Sequence, residues 1–333
     1  MQVQDDAVWP AERREVSVVV CTSGRPAELA RCLDAVFTHG DAPGLALEVL
    51  TVHAPGDDEA MARVRDEFPQ VRIVVAPLRN LALQKNLGAR HARHDVVVYL
   101  DDDAWPAQGW LGALLDALGN PRVAAVAGEV LNPDGSLQLG RIAIDAFGNT
   151  RPIAAEHALV AGEVLHLTGG NVAVRRAALF AVGGHDENFA YHLEDGDLAR
   201  RLAAAGHELR YAQRARIHHQ RAPGPHRRSL HDRDYRTIAS NQVYFAFRHV
   251  RTARWRLALV PALHQAWKGL RLLGLALRGA LPLRALPRCL AGLCAGAVRG
   301  HYRGLRAAPI LPLPDLPPAA PPASAPLEAA RHA

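Results

Sequence analysis

The feature that most constrains this chain is a repeated alternation in its first third. Short runs rich in β-branched residues at 15–21, 47–52, 71–75 and 95–100 are each followed by a segment of helical spacing, at 27–37, 57–68, 81–92 and 107–118. A fifth run follows at 123–130. In the first helical segment Leu29, Cys32, Leu33 and Val36 share one face. Strands that alternate with helices in this way predict an α/β fold: a mainly parallel twisted sheet with helices on both faces. In such sheets ligands bind beyond the carboxyl ends of the strands.

Two polar clusters fall at that edge. Thr22-Ser23-Gly24-Arg25-Pro26 ends the first strand, and Asp101-Asp102-Asp103 ends the fourth. With a period of two, Asp101 and Asp103 point to one side and Asp102 to the other. Paired carboxylates suit a hard divalent cation that also binds phosphate oxygens. In an arbitrary loop the same triplet would be a solvated acidic turn or a helix N-cap; its place after a buried strand favours the cation. A second cluster, Glu194-Asp195-Gly196-Asp197, opens a helix that reaches to about residue 205. Acids there are favoured by the helix dipole, and a carboxylate in a pocket can also serve as a general base.

Four stretches taken together resemble the family 2 glycosyltransferases of the GT-A fold, over roughly residues 15–250. They are VSVVVCTSGRPAELARCLDAV, NLALQKNLGARHARHDVVVYLDDDAWPAQGWL, LTGGNVAVRRAALFAVGGHDENF and LEDGDLARRLAAAGHELRYAQRARIHH. The resemblance implies an inverting, metal-dependent transfer of a sugar from a nucleotide-diphosphate donor to a hydroxyl. It implies Asp195, in the pair with Glu194, as catalytic base. It implies Asp101, Asp103 and His219 as ligands of Mn²⁺ or Mg²⁺, although His219 by itself reads as a surface residue of a basic strand. It also implies donor contacts at Thr22, Arg25, His53, Asn86, Asp101 and Asp102, and an acceptor region at Gly169, Gly170, Asn171 and Asp197. Two positions depart from the family pattern. His53 stands where an aspartate usually reads the base, with Asp57 as a displaced substitute, and Lys85 stands where arginine is usual.

The rest of the chain differs in character. Residues 1–213 hold 19 Lys+Arg against 29 Asp+Glu, whereas 214–308 hold 19 against two. The expected organisation is an N-terminal arm (1–14), a GT-A domain (15–250), a basic helical extension (251–306) and a disordered Pro/Ala-rich tail (307–333). In the extension His264, Lys268, Arg271 and Arg278 form a cationic stripe on an otherwise apolar helix, which suits an anionic membrane surface or, alternatively, core packing. Gly292, Gly296, Gly300 and Gly304 imply a close approach, to the preceding helix or to a partner chain. Arg299, Arg303 and Arg306 form a second cationic stripe. With no aromatic interleaving and no recognised motif, nucleic acid is not an expected partner. The N-terminal residues lack an apolar signal region and the four cysteines lack metal spacing, so a cytoplasmic protein with reduced thiols is expected, peripheral on the cytoplasmic membrane face and acting on a lipid-linked or glycan acceptor. Two alternatives stand beside this: a degenerate GT-A-fold binding protein without turnover, and a sugar nucleotidyltransferase, for which TSGRP is a poor phosphate loop.

Overall fold

Valine-rich runs form the inner strands. The computed structural model describes residues 14–40, 44–154, 157–221 and 231–314. The elements are β1 (Arg14–Thr22), α1 (Pro26–His39), β2 (Leu45–His53), α2 (Asp58–Glu67), β3 (Arg72–Val75), α3 (Leu81–His91), β4 (Val96–Asp101), β5 (Ala104–Pro106), α4 (Trp110–Ala117) and β6 (Val123–Leu131). Then come β7 (Leu137–Leu139), β8 (Ile142–Ile144), β9 (Thr150–Pro152), β10 (Val164–Leu165), β11 (Asn171–Arg175), α5 (Arg176–Ala181), α6 (Glu194–Ala204), β12 (Glu208–His219), α7 (Tyr235–His249), α8 (Arg254–Leu277) and α9 (Leu286–Leu305).

The main sheet runs β3-β2-β1-β4-β11-β6-β12-β5, with β7 on β6. Pairs β3/β2, β2/β1, β1/β4 and β6/β12 are parallel. The alternation alone would leave β6 beside β4. Instead β11 enters antiparallel between them, so the sheet is mixed and mostly parallel. The helices cover both faces. Leu29 and Leu33 of α1, Val64 of α2 and Trp110 and Leu114 of α4 share one core with Val16, Val18, Val98 and Leu100. Ala89 of α3, Leu179 of α5 and Leu198 of α6 share the other core with Val19, Val97 and Tyr99. Burial of each such aliphatic side chain contributes about 1.5–3 kcal/mol. On α3, a Cβ at Gly88 would stand 2.2 Å from a Val19 methyl, so glycine is what lets that helix lie on β1.

Three differences from the sequence reading matter. Helix α4 begins at Trp110, after Gly109 in the left-handed region (φ 77°), because residues 104–106 are spent on β5. The irregular 132–163 region contributes β7 to the main sheet and β8 and β9 to a small sheet ordered β10-β8-β9. Residues 307–314, assigned to the tail by composition, lie on the domain: Leu313 N–H donates to Phe180 O at 2.9 Å, and Ala308 O accepts from Arg248 at 2.7 Å. Residues 1–13 and 315–333 of the expected arm and tail fall outside the described residues.

The C-terminal helices also correct two expectations. The glycine stripe of α9 faces α7, neither the preceding helix nor a partner chain. A Cβ at Gly296 would lie 2.4 Å from Arg236 O, and one at Gly300 2.6 Å from Ser240 O. The polar stripe of α8 turns inward at two of its four members: Lys268 donates to Gln242 Oε1 of α7, and His264 Nε2 lies 3.3 Å from Gln242 Nε2. Facing out instead are Trp255, Leu259, Leu263, Trp267, Leu270, Leu273 and Leu277, with Arg271 and Arg278. No helix among the described residues is long and apolar enough to cross a membrane.

Candidate active site

Strand register assembles the acidic end of the sheet. Cys21 of β1 pairs with Asp101 of β4, so Thr22 and Arg25 follow beside the aspartates. Asn171 of β11 pairs with Leu100, so Gly169 and Gly170 arrive opposite Asp101. His219 of β12 pairs with Ala104 of β5, one residue from Asp103. Strand β5 was invisible in the sequence, yet it is what delivers the histidine.

The three aspartates divide as the period-two argument predicts. Asp102 is fully buried on the side of α1, where it accepts from Thr22 Oγ1 at 2.8 Å and from Arg25 Nε at 3.1 Å. Burial pushes its carboxyl up to about 7 against the opposing pull of Arg25. Asp101, Asp103 and His219 each bring a ligand atom into a cluster 4.8 Å across at most. His219 Nε2 lies 3.0 Å from Asp103 Oδ1 and 4.0 Å from Asp101 Oδ2. The other face of the imidazole is taken: Nδ1 lies 2.8 Å from Gln138 Oε1, which also accepts from Arg221 Nε at 3.0 Å. Gln138 Oε1 also accepts from Arg221, so Nδ1 is the nitrogen that donates to it, and Nε2 is the one left facing the carboxylates, where it could join them as a ligand of a cation. Two carboxylates and a lone-pair nitrogen converging in this way fit a divalent cation.

The second cluster sits across two glycines. A Cβ at Gly169 would fall 1.8 Å from Asp195 Oδ2, and one at Gly170 2.3 Å from Asp101 Oδ2. Both glycines have negative φ, so space rather than flexibility requires them. Asp195 Oδ1 lies 2.7 Å from Lys85 Nζ, and Glu194 Oε1 lies 3.3 Å from the same ammonium. Burial raises a carboxyl, but Lys85 and His185 outweigh it and hold Asp195 well below the usual carboxylate range. Burial and the Asp195 charge raise Glu194. One buried lysine thus balances one firmly ionised acid, and that acid is the more exposed of the two. The backbone before them is unusual: His192 and Leu193 are the described non-glycine residues with positive φ, at 71° and 74°. Left-handed geometry costs an L-residue about 1–2 kcal/mol. Between the clusters lies a cavity of about 310 Å³, lined by Asp101, His219, Asp195, His166, His192 and Tyr191 among others.

Residues 17–182 match the family model described as Glycosyl transferase family 2. The chain belongs to glycosyl transferase family 2. Its enzyme class is glycosyl transfer, which sets the nucleotidyltransferase alternative aside. It is 28% identical over 224 residues to a glucosyl-dolichyl phosphate glucuronosyltransferase of Haloferax volcanii, covering 62% of this chain and 69% of that one. It is 31% identical over 157 residues to a pre-mycofactocin glycosyltransferase of Mycobacterium tuberculosis, covering 45% of this chain but only 31% of that one. A mannosyltransferase of Pyrobaculum calidifontis, solved with GDP-Man and Mn²⁺, superposes with a TM-score of 0.56 at 20% identity, over 90% of this chain and 91% of that one. That likeness establishes the GT-A fold.

Not every residue expected in this family 2 site reaches it. His53 is fully buried between Thr51 Oγ1 (3.0 Å) and Asp57 Oδ2 (2.8 Å), and Asp57 Oδ1 accepts from Gly24 N–H at 2.7 Å. The pair braces the loop after β1: His53 is fully buried with both ring nitrogens engaged, and each Asp57 oxygen already has a partner. Asn86 is also turned inward: it donates to His185 O and Glu187 Oε1, both at 2.9 Å, and accepts from His185 N–H at 2.8 Å. Asp197, expected near the acceptor, is buried on Arg201 (2.6 Å) and His249 (2.8 Å). Asn171 lies beneath the cavity, accepting from Trp110 Nε1 at 2.7 Å. Four contributors escaped the sequence reading or were underweighted: Lys85, His185, Gln138 and Gln84, whose amide donates to Thr22 O (3.0 Å) and Val52 O (2.8 Å). Only Lys85 left a trace, as the lysine in the arginine position.

Proposed function

We propose that the chain is an inverting glycosyltransferase whose acceptor is held at an anionic membrane surface, with Asp195 as base and Asp101, Asp103 and His219 as cation ligands. The observation that carries this reading is the glycine pair: consecutive backbone positions touch a carboxylate of each cluster, so the leaving-group side and the base side flank one cavity. Asp101, Asp103 and His219 would hold a divalent cation there, which would supply Lewis-acid stabilisation to a departing diphosphate. Thr22 and Arg25 hold Asp102, and Arg25 Nη1 also donates to Asp103 Oδ2 at 2.8 Å, which together fix the turn that presents Asp101 and Asp103. Asp195 takes the proton of the acceptor hydroxyl as that oxygen attacks the anomeric carbon. Lys85 keeps Asp195 ionised and ready to receive it. With a single base and no protein nucleophile, the displacement is direct and inverts the anomeric configuration.

The membrane part rests on α8. Its outward face carries two tryptophans and five leucines, with Leu270 68% and Leu277 76% exposed. Arg256 lies over Trp255 at 5.1 Å and Arg271 over Trp267 at 4.8 Å. Aromatic and aliphatic groups rimmed by arginine in a segment so short of acids suit the interface of an anionic bilayer on its cytoplasmic face. A lipid-phosphate acceptor, as the name of the Haloferax relative implies for that protein, would be presented there.

The test is transfer itself. The protein is incubated with a panel of nucleotide sugars, Mn²⁺ or Mg²⁺, and polyprenyl-phosphate-linked or glycan acceptors. The product is then read by mass spectrometry and its anomeric configuration by NMR. An inverted product that Asp195→Asn does not form is the expected result. A retained configuration would overturn the single-displacement account.

A further inference from the structure

The turn that carries the base is held from outside the nucleotide-binding half. Leu193 is the residue before α6, so the left-handed pair His192–Leu193 sets where Glu194 and Asp195 project. Two successive carbonyls of this turn, Tyr191 O and His192 O, accept from one group, the buried Asn241 Nδ2 on α7, at 2.6 and 3.0 Å. The other end of that amide, Oδ1, accepts from Arg303 Nη1 on α9 at 2.8 Å. Carbonyls on one side and a guanidinium on the other leave the amide a single orientation.

Arg303 is itself fixed. It donates to Ser240 Oγ at 2.8 Å and to Asn188 O, and its guanidinium carbon lies 4.6 Å from the centre of the Tyr244 ring. It forms no ion pair among the described residues, so its donors go to neutral oxygens around this turn. The α9 glycines let it reach that far. At Gly300, one turn before Arg303, a Cβ would meet Ser240 O and Val243 Cβ, each at 2.6 Å. Leu193 closes the arrangement from below, packed with Phe189, Tyr244 and Phe245.

We propose that Asn241 and Arg303 are positioning residues of the transfer reaction: a relay from α9 through α7 clamps the left-handed turn and thereby aims Asp195 into the cavity. This rests on Asp195 being the base. It gives the C-terminal helices a part in catalysis that their sequence does not suggest. It also explains why two residues that are not glycine tolerate a conformation that glycine adopts freely.

The test uses the full chain, with steady-state transfer kinetics and donor affinity measured separately by thermal shift with Mn²⁺ and the nucleotide sugar. Asn241→Ala is expected to lower kcat by about 10²-fold, the usual effect of a misplaced reacting group, with donor affinity unchanged. Arg303→Met should act in the same direction, and Arg303→Lys, which still donates, should act less. The deciding variant adds His192→Gly to Asn241→Ala. Glycine adopts the left-handed conformation at 192 without the steric cost, so part of the lost kcat should return, measured against His192→Gly alone. Wild-type kcat in Asn241→Ala would overturn the proposal. So would a parallel loss of kcat, donor affinity and melting temperature that glycine does not recover, since that marks general loss of fold. Asp195→Asn is run alongside. If it transfers like wild type while Asn241→Ala is impaired and rescued, the base assignment fails, and the clamp positions the turn for a group other than Asp195.

Discussion

At the scale of single residues, the site is organised by what each charge is set against. Lys85 is buried, and Asp195, Glu194 and Asp101 together outweigh the burial that would otherwise discharge it. Its effect on Asp195 is the more consequential, because an acid held below its usual range stays ionised at pH values where a free carboxyl would begin to take up a proton. The sign follows directly. Removing the ammonium in Lys85→Met raises the Asp195 carboxyl, so protonation disables the base at a higher pH. The acid limb of the kcat/KM profile should move up by about 1–3 pH units, whereas Lys85→Arg should leave it near the wild-type position. An unmoved limb in a folded Lys85→Met protein would mean that another group titrates there. The residues that misled the sequence reading share one cause. His53, Asn86 and Asp197 stand at the expected positions, but each is engaged by an internal partner: Asp57, His185 O with Glu187 Oε1, and the Arg201–His249 pair. Spacing tells which face a residue occupies and says nothing of which neighbour arrives from elsewhere in the chain.

At the scale of elements, the first half was legible because each strand and helix declares itself locally, through valine runs and one-faced apolar spacing. The pairings that build the site are non-local and were not. Neither β5 on β12 nor β11 between β4 and β6 follows from any window of sequence. The stripe of α8 was split for the same reason: His264 and Lys268 turn inward to Gln242 on another helix, while Arg271 and Arg278 stay outside. The glycine stripe of α9 was recognised as a close approach, but its partner proved to be α7. This contact yields a prediction with an internal control. Gly296→Ala pushes a Cβ to 2.4 Å from Arg236 O, a backbone atom that moves only with its helix, and should cost about 1–3 kcal/mol. Gly274→Ala, in α8 with nothing within 4 Å, should gain up to about 1 kcal/mol from helix propensity. Urea denaturation of the two variants reads both signs. Equal effects would contradict the α7–α9 packing.

At the scale of the whole molecule, the proposed function divides the work between an acidic half that would handle a donor and a basic helical end that would face the acceptor's surroundings. The outward face of α8 predicts that the protein pellets with phosphatidylglycerol vesicles at low salt, and less so as salt rises. Trp267→Glu with Leu270→Glu should leave it in the supernatant with an unchanged melting temperature, because both side chains are exposed. Wild-type protein that ignores the vesicles would contradict the interfacial role, and a dimer abolished by the same pair of changes would assign the face to a second copy instead. The central claim is that one cavity joins a cation–diphosphate side to a base side, and one paired binding measurement tests it most directly. Calorimetric titration of donor in the presence of Mn²⁺ should show Asp103→Asn losing the metal-dependent part of donor affinity. Asp195→Asn should bind as wild type does, yet yield no transfer product in the matched assay. Wild-type, metal-dependent donor binding by Asp103→Asn, or undiminished transfer by Asp195→Asn, would contradict it.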